Sequence, residues 1–268
     1  MPFRHLLVLL LLVTGVPAAS AADSALAAAA GGSHRDAANV ARNAWRHPVE
    51  TLEFFGLRPD MTVVEVWPGS GGWYTEILAP YLREQGKLIA ANYDGSTGVE
   101  YFAKGAQKFR DKLAARPGIY DRVEVTALMP PGAPAAGPAG SADLVVTFRN
   151  LHNWVRDGFA PAMFAAMYEV LKPGGTLGIV AHRGSDDMTG AEAARTGYLA
   201  ESEALRLARD AGFEFVAKSE INANPKDTKD HPKGVWTLPP NFRAGDLDRE
   251  KYAAIGESDR MTMKFRKP

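Results

Sequence analysis

The chain has 268 residues, with 31 basic and 31 acidic side chains, so its formal net charge is zero at neutral pH. Lysine and arginine are scattered without a basic block, which argues against nucleic acid as a partner. The chain has no cysteine, which excludes disulfides, thiolate metal sites and a lipid-anchored lipoprotein.

The N-terminus has the pattern of a secretory signal peptide. A basic start precedes an apolar run over residues 6–13, and small residues follow up to Ala22. This run is too short for a membrane-spanning helix, which needs roughly 20 apolar residues. We expect residues 1–22 to be removed, which predicts a periplasmic or secreted protein with no stable membrane anchor after cleavage. Alanine and glycine dominate the next segment, so residues 23–35 are predicted to form a flexible leader.

Residues 36–268 are predicted to form one domain in which strand and helix patterns alternate. Roughly 245 residues remain after cleavage, which is enough for one large α/β core. The predicted strands are 62–66, 87–91, 123–127, 143–148, 176–181, 214–219 and 260–265. The predicted helices are 37–55 with a break near His47-Pro48, 73–81, 99–115, 159–171 and 201–211. This alternation predicts a doubly wound, seven-stranded, mostly parallel sheet.

The first predicted strand runs into a glycine turn made by Gly69, Gly71 and Gly72. Glycines let the backbone approach a ligand, and the helix that follows presents free N–H groups to it. A dinucleotide loop needs a third glycine where Tyr74 stands, and no Gly-Lys-Ser/Thr follows. The turn therefore predicts a nucleotide-like ligand, disfavours pyrophosphate and nicotinamide cofactors, and excludes a P-loop.

Four motifs, in order along residues 36–267, resemble those of the class I S-adenosylmethionine-dependent methyltransferases. They are Glu65–Gly71, Ala142–Thr147, Val170–Leu177 and Asp210–Glu214. The resemblance implies a Rossmann-like methyltransferase fold with an antiparallel last strand, S-adenosyl-L-methionine as cofactor, and methyl transfer to a small-molecule acceptor. More narrowly, Arg46-His47-Pro48, Asn224-Pro225 and the C-terminal Lys264–Pro268 resemble a group of exported bacterial proteins labelled as predicted methyltransferases.

The resemblance also implies the residues that bind the cofactor. Asn92 stands where the family has the acidic residue that holds the ribose; its amide still donates and accepts hydrogen bonds but lacks the charge. Asp94 is an alternative ribose ligand, and Leu128 and Met129 lie where the family forms its adenine pocket. Trp67 replaces the first family glycine and is predicted either to stack on the ligand or to pack beneath the loop. The predicted cofactor-binding residues are Glu65, Gly69, Ser70, Gly71, Gly72, Asn92 and Asp94.

Polar residues follow the fourth strand at the edge of the sheet where ligands bind in such folds. Alignment of the acceptor with the methyl group supplies most of the catalysis in a methyl transfer. A base is needed only when the acceptor holds a proton with a high pKa. His152 is the candidate base because imidazole titrates near neutrality, while the family's Leu-His pair is often structural. No pair of histidines has metal-ligand spacing, so no metal site is predicted.

Some assignments stay open at this point. Arg42, Arg46 and His47 either close over the cofactor carboxylate or are ordinary surface residues, and Arg183 is expected to pair with a carboxylate rather than with substrate. The polar segment 222–257 is either a lid, with Lys226, Asp227 and Trp236 as candidates, or a solvated loop. The alternative to an enzyme is an exported binding or regulatory protein that retains the fold, with Trp67 and Asn92 reflecting a relaxed demand for cofactor.

Overall fold

The computed structural model describes the backbone of residues 19–268 and the side chains of residues 24–268. Its strands are β1 Thr62–Val66, β2 Lys87–Asn92, β3 Glu124–Ala127, β4 Ala142–Phe148, β5 Leu171–His182, β6 Glu214–Ser219 and β7 Arg260–Arg266. They form one seven-stranded sheet in the order β3-β2-β1-β4-β5-β7-β6. The strands from β3 to β5 pair in parallel, and β7 lies antiparallel between β5 and β6. The predicted fold class and the antiparallel last strand are confirmed.

Helices cover both faces of this sheet, because β1 and β4 are apolar on both sides. Val63 packs with α4 and α5 on one face, and Val64 packs with α9 on the other. The helices are α1 Ala19–Gly31, α2 Ala37–Val40, α3 Asn43–Arg46, α4 Pro48–Phe55, α5 Thr75–Leu82, α6 Glu100–Ala114, α7 Pro117–Tyr120, α8 Leu151–Arg156, α9 Ala160–Val170, α10 Gly190–Thr196, α11 Glu201–Asp210 and α12 Arg249–Ile255, with a 3₁₀ helix over Gly234–Thr237. The described residues include no helix with the length and apolar character needed to cross a membrane.

The segment expected to be a flexible leader is helical in the structure as far as Gly31, where α1 ends. Helix α1 packs against α4 and α5, and Leu26 is only 1% exposed. Alanine-rich composition suggests low complexity, but alanine also has the highest helix propensity, and Leu26 with Ala29 and Ala30 supplies a buried stripe. The predicted signal peptide lies outside the described residues apart from the start of α1, so its removal stays a prediction.

The insertion, which we define as residues 222–257, packs onto the domain at several buried polar residues. Asp227 accepts hydrogen bonds from the Tyr198 hydroxyl (2.8 Å) and from the backbone N–H of Asp259 (2.7 Å), and the His231 ring lies 2.8 Å from the same carboxylate. Asn224 donates to the backbone carbonyls of Ile255 and Glu257. These bonds anchor the insertion at the carboxyl edge of the sheet.

Candidate functional site

A cavity of about 490 Å³ opens at the carboxyl edge of the sheet, where open α/β folds bind ligands. Trp67 and Gly69 line it from the turn after β1. Arg149 and His152 line it from the segment after β4, and Trp236 lines it from the insertion. Of the predicted lid candidates, Trp236 therefore faces the cavity, whereas Asp227 anchors the insertion and Lys226 is exposed.

The glycine turn owes its shape to two residues with left-handed backbone. Gly69 has φ +74° and Gly72 has φ +54°, and a Cβ on Gly72 would come within 2.7 Å of the Phe109 ring. Gly71 differs, because a Cβ there would meet nothing within 4 Å. The turn is thus tightly packed against the domain at Gly72 and open at Gly71. This is the arrangement expected of a turn whose backbone contacts a ligand.

Glu65 lies beneath this turn and is only 2% exposed. The Thr75 hydroxyl at the start of α5 donates a 2.6 Å hydrogen bond to its carboxylate. Burial raises the pKa of Glu65 to about 7, against the opposing effect of that hydrogen bond. Glu65 therefore ties the end of β1 to α5 and does not line the cavity.

Asn92 and Asp94 lie on the far side of Tyr93, in a second cleft of about 470 Å³. The Asn92 amide accepts from the Tyr93 N–H (2.8 Å), which fixes its orientation, and donates to the Gly69 carbonyl (3.3 Å), which holds the turn in place. Asp94 accepts from the hydroxyl and the backbone N–H of Ser96, which lowers its pKa. Of the predicted cofactor residues, Gly69 borders the main cavity.

Trp67 is a buried tryptophan with left-handed backbone, at φ +52°. Its indole N–H donates a 2.7 Å hydrogen bond to the Leu128 carbonyl, and its ring meets Tyr93 and Trp154 edge to face at 4.9 and 5.8 Å. A left-handed conformation costs a bulky residue roughly 1–2 kcal/mol, which this packing and hydrogen bond offset. The structure favours packing for Trp67, beside the residue that the family resemblance places at the adenine pocket.

The segment after β4 is fixed by Asn150, whose amide donates to the carbonyls of Val66 and Trp67, both at 3.1 Å. This brings His152 to the cavity, with its ring centre 5.5 Å from that of His182 and 5.8 Å from that of Trp236. His152 is 5% exposed, and its Nδ1 has no hydrogen-bond partner among the described residues.

Burial, reinforced by Arg156 and Arg149, lowers the pKa of His152 to about 4. Its imidazole is consequently neutral near neutral pH and can accept a hydrogen bond from a bound molecule. The structural alternative of a ring bonded to backbone through Nδ1 is absent within the described residues.

Glu257 and Ser258 also line the cavity, although they are not among the site residues predicted from the sequence. Ser258 Oγ lies 2.5 Å from His182 Nδ1. Both residues come just before β7, and an antiparallel strand begins at the edge where its parallel neighbours end. The predicted direction of β7 was the signal that would have placed them here. Arg183 next to this edge pairs with Asp259 at 2.8 Å, which confirms its expected structural role.

No group of three or more histidine, cysteine, aspartate or glutamate side chains that would hold an ion occurs among residues 24–268.

No protein-family model matches the chain, and no curated protein is significantly similar to it. Solved structures do match in fold. An S-adenosylmethionine-dependent methyltransferase from Aquifex aeolicus is 18% identical, with a TM-score of 0.56, over 85% of this chain and 93% of that one. This is the Rossmann-like methyltransferase fold.

Two other neighbours show how much chemistry this fold accommodates. An arsenic(III) S-adenosylmethionine methyltransferase from Chlamydomonas reinhardtii is 14% identical, with a TM-score of 0.52, over 91% of this chain and 73% of that one. The [4+2]-cyclase SpnF is 20% identical, with a TM-score of 0.52, over 84% of this chain and 81% of that one. At such identities the likeness establishes the fold, and the reaction must be argued from the site.

Proposed function

We propose that this protein is an S-adenosylmethionine-dependent methyltransferase that acts on a small molecule bound in the main cavity. One observation carries the proposal: in a methyltransferase fold, a cavity of about 490 Å³ lies directly against the glycine turn at Gly69. Its size is within the range of small-molecule sites. Its walls combine six aromatic side chains with a larger number of polar and charged ones. The N-terminal sequence supports the further proposal that the protein is exported.

The residues of the turn fit the proposed cofactor. Gly69 and Gly72 have backbone conformations that favour glycine, and the open face at Gly71 leaves space for a ligand against the main chain. When bound, S-adenosylmethionine supplies an electrophilic methyl group on sulfur. Backbone groups of Gly69, Ser70 and Gly71 would hold its methionine portion, and Asn92 or Asp94 its ribose.

The purine end of such a ligand needs a rearrangement of this chain. The Trp67 indole fills the space beside Leu128, and the Asn92 amide is already bonded to the turn. The Asn92 contact with the turn is one hydrogen bond, contributing about 1 kcal/mol net, whereas displacement of the indole also breaks its buried ring contacts with Tyr93 and Trp154. Ligand contacts must therefore replace both the hydrogen bonds and this packing. We propose that Trp67 moves when the cofactor binds.

The neutral His152 ring supports a role in orienting the acceptor. Its Nδ1 lacks a partner in the described residues, and the ring is held between His182 and Trp236. With a pKa of about 4 the imidazole is a weak base near neutral pH, so it would accept a hydrogen bond from an acceptor hydroxyl or amine and position that group for methyl transfer. Substitution to alanine should lower turnover on such an acceptor and leave cofactor affinity unchanged.

Calorimetric titration of the purified protein with S-adenosylmethionine and its demethylated product tests the proposal. We expect micromolar binding, weakened at least tenfold by Gly71→Val because the new side chain enters the open face of the turn. Gly118→Val is the matched control, since a Cβ at Gly118 also meets nothing within 4 Å and the residue is remote from the cavity. No binding at millimolar ligand would contradict the proposal and favour a non-catalytic binding protein with this fold.

A further inference from the structure

Four arginines surround one carboxylate at the inner wall of the main cavity. Glu257 is bonded to Arg42 (2.5 Å), Arg46 (3.1 Å) and Arg260 (2.8 Å). Arg149 faces the same carboxylate from the segment after β4 and lines the cavity with it. Because Glu257 is the single acidic partner of these groups among residues 24–268, the cluster carries a marked excess of positive charge there.

Several of these guanidinium nitrogens are unsatisfied. Arg46 is 1% exposed, and within the described part of the chain both its Nη atoms lack a hydrogen-bond partner, as does Nη2 of Arg42. The Trp73 ring, 4.6 Å from the Arg46 guanidinium carbon, compensates part of this charge. The Arg149 side chain has no hydrogen bond or ion pair with any residue of the described region.

This imbalance is energetically expensive. A buried ion without a partner costs several kcal/mol, even after relaxation of the protein. Burial would raise the pKa of Glu257, but Arg46, Arg260 and Arg42 outweigh it and hold that pKa at about 2. Burial also lowers the pKa of Arg149 to about 10. The cluster is thus arranged for a second anion, and the cavity beside Arg149 is the space open to it.

The remaining wall of the cavity determines what else the anion must carry. Six of the lining residues are aromatic, among a larger number of polar ones, and aromatic side chains favour a flat, apolar body by stacking and edge contacts. They are Trp67, Tyr93, Tyr101, Phe102, Phe148 and Trp236.

We infer that the acceptor is a small aromatic carboxylic acid, with its carboxylate against Arg149 and its ring among the aromatic side chains. This inference rests on the proposed function only in naming the bound acid as the methyl acceptor. The binding site for an aromatic carboxylic acid does not depend on the proposed function. A guanidinium binds a carboxylate through two parallel hydrogen bonds, which explains an arginine here rather than a lysine.

Titration of the purified protein with benzoate and with its uncharged analogue benzamide, without cofactor, tests this site. We expect benzoate to bind at least tenfold more tightly, since hydrogen bonds to charged groups contribute about 1.5–3 kcal/mol. Arg149→Gln should remove the preference, and Arg149→Lys should retain part of it. Thermal unfolding of each variant establishes that it is folded.

Arg156→Gln is the matched control at the same cavity. The Arg156 guanidinium is already bonded to both oxygens of Asp157, at 2.7 and 2.8 Å, so its loss should leave the benzoate preference intact. Equal affinities for benzoate and benzamide, or an unchanged preference in folded Arg149→Gln, would overturn the inference.

A final arm identifies which molecule brings the anion. The same titration is repeated with saturating demethylated cofactor, whose own carboxylate is the competing source. Simultaneous binding of both supports an acidic acceptor, whereas mutual exclusion that depends on Arg149 assigns the site to the cofactor and overturns the inference. If the cofactor product does not bind at all, the proposed function fails while the benzoate result still stands.

Discussion

Replacement of Glu65 by glutamine should stabilise the protein in a strongly pH-dependent way. The folded-state pKa of about 7 lies above the ordinary value of 4.5. Between these values the folded chain keeps a proton that the unfolded chain releases, so the free energy of unfolding falls as the pH rises. Integrated from about pH 5 to about pH 8, this loss is about 2–3 kcal/mol.

Glutamine at position 65 retains an acceptor for the Thr75 hydroxyl but does not ionise. Its advantage over the wild type should therefore grow by about 2–3 kcal/mol over that pH interval. Urea unfolding followed by tryptophan fluorescence, with equal slopes in both proteins, measures this difference. Glu50→Gln, at an exposed position, is the control and should stay within about 0.5 kcal/mol. A Glu65→Gln curve parallel to the wild type over the whole interval would show that Glu65 is ionised beneath the turn.

Three further substitutions test separate parts of the account. Trp67→Gly should lower the free energy of unfolding by about 2–4 kcal/mol, because cavity formation outweighs relief of the left-handed backbone, yet tighten binding of the demethylated cofactor in calorimetry. Unchanged or weaker binding would show that the indole does not obstruct the ligand. Glu257→Gln should lower the free energy of unfolding in urea by about 3–5 kcal/mol, since it leaves the bonded arginines without a counter-charge. A decrease below about 1 kcal/mol would show that Glu257 does not compensate the charge of these arginines. Tyr198→Phe removes a donor to buried Asp227 and should raise amide hydrogen exchange across residues 222–257, whereas exchange confined to position 198 would place the anchor elsewhere.

The sheet was predictable because its strands are short apolar segments with clear boundaries. Thr62–Val66 and Glu214–Ser219 have the predicted limits. β5 begins earlier than predicted, at Leu171, since the Pro-Gly-Gly segment joins the strand through an irregular pairing in which Ala142 lies opposite Leu171. The left-handed His47 between α3 and α4 confirms the predicted break before Pro48.

Short helices and side-chain contacts could not be predicted from the sequence, for a physical reason. Helix α8 has only six residues and depends on tertiary packing of Leu151 and Trp154, because so short a segment is not stable alone. The hydrogen bonds of Trp67 and Asn92 join residues far apart in the chain, so no local pattern reveals them. The glycine turn was recognisable because a backbone conformation, rather than a contact, determines its residues.

A crystal structure of the protein with saturating demethylated cofactor would decide whether the turn binds this ligand. We expect ligand density against the turn at Gly69 and Gly71, with the Trp67 indole displaced from the Leu128 carbonyl. An empty turn at millimolar ligand, with Trp67 still bonded to Leu128, would contradict cofactor binding and with it the assignment of methyl transfer.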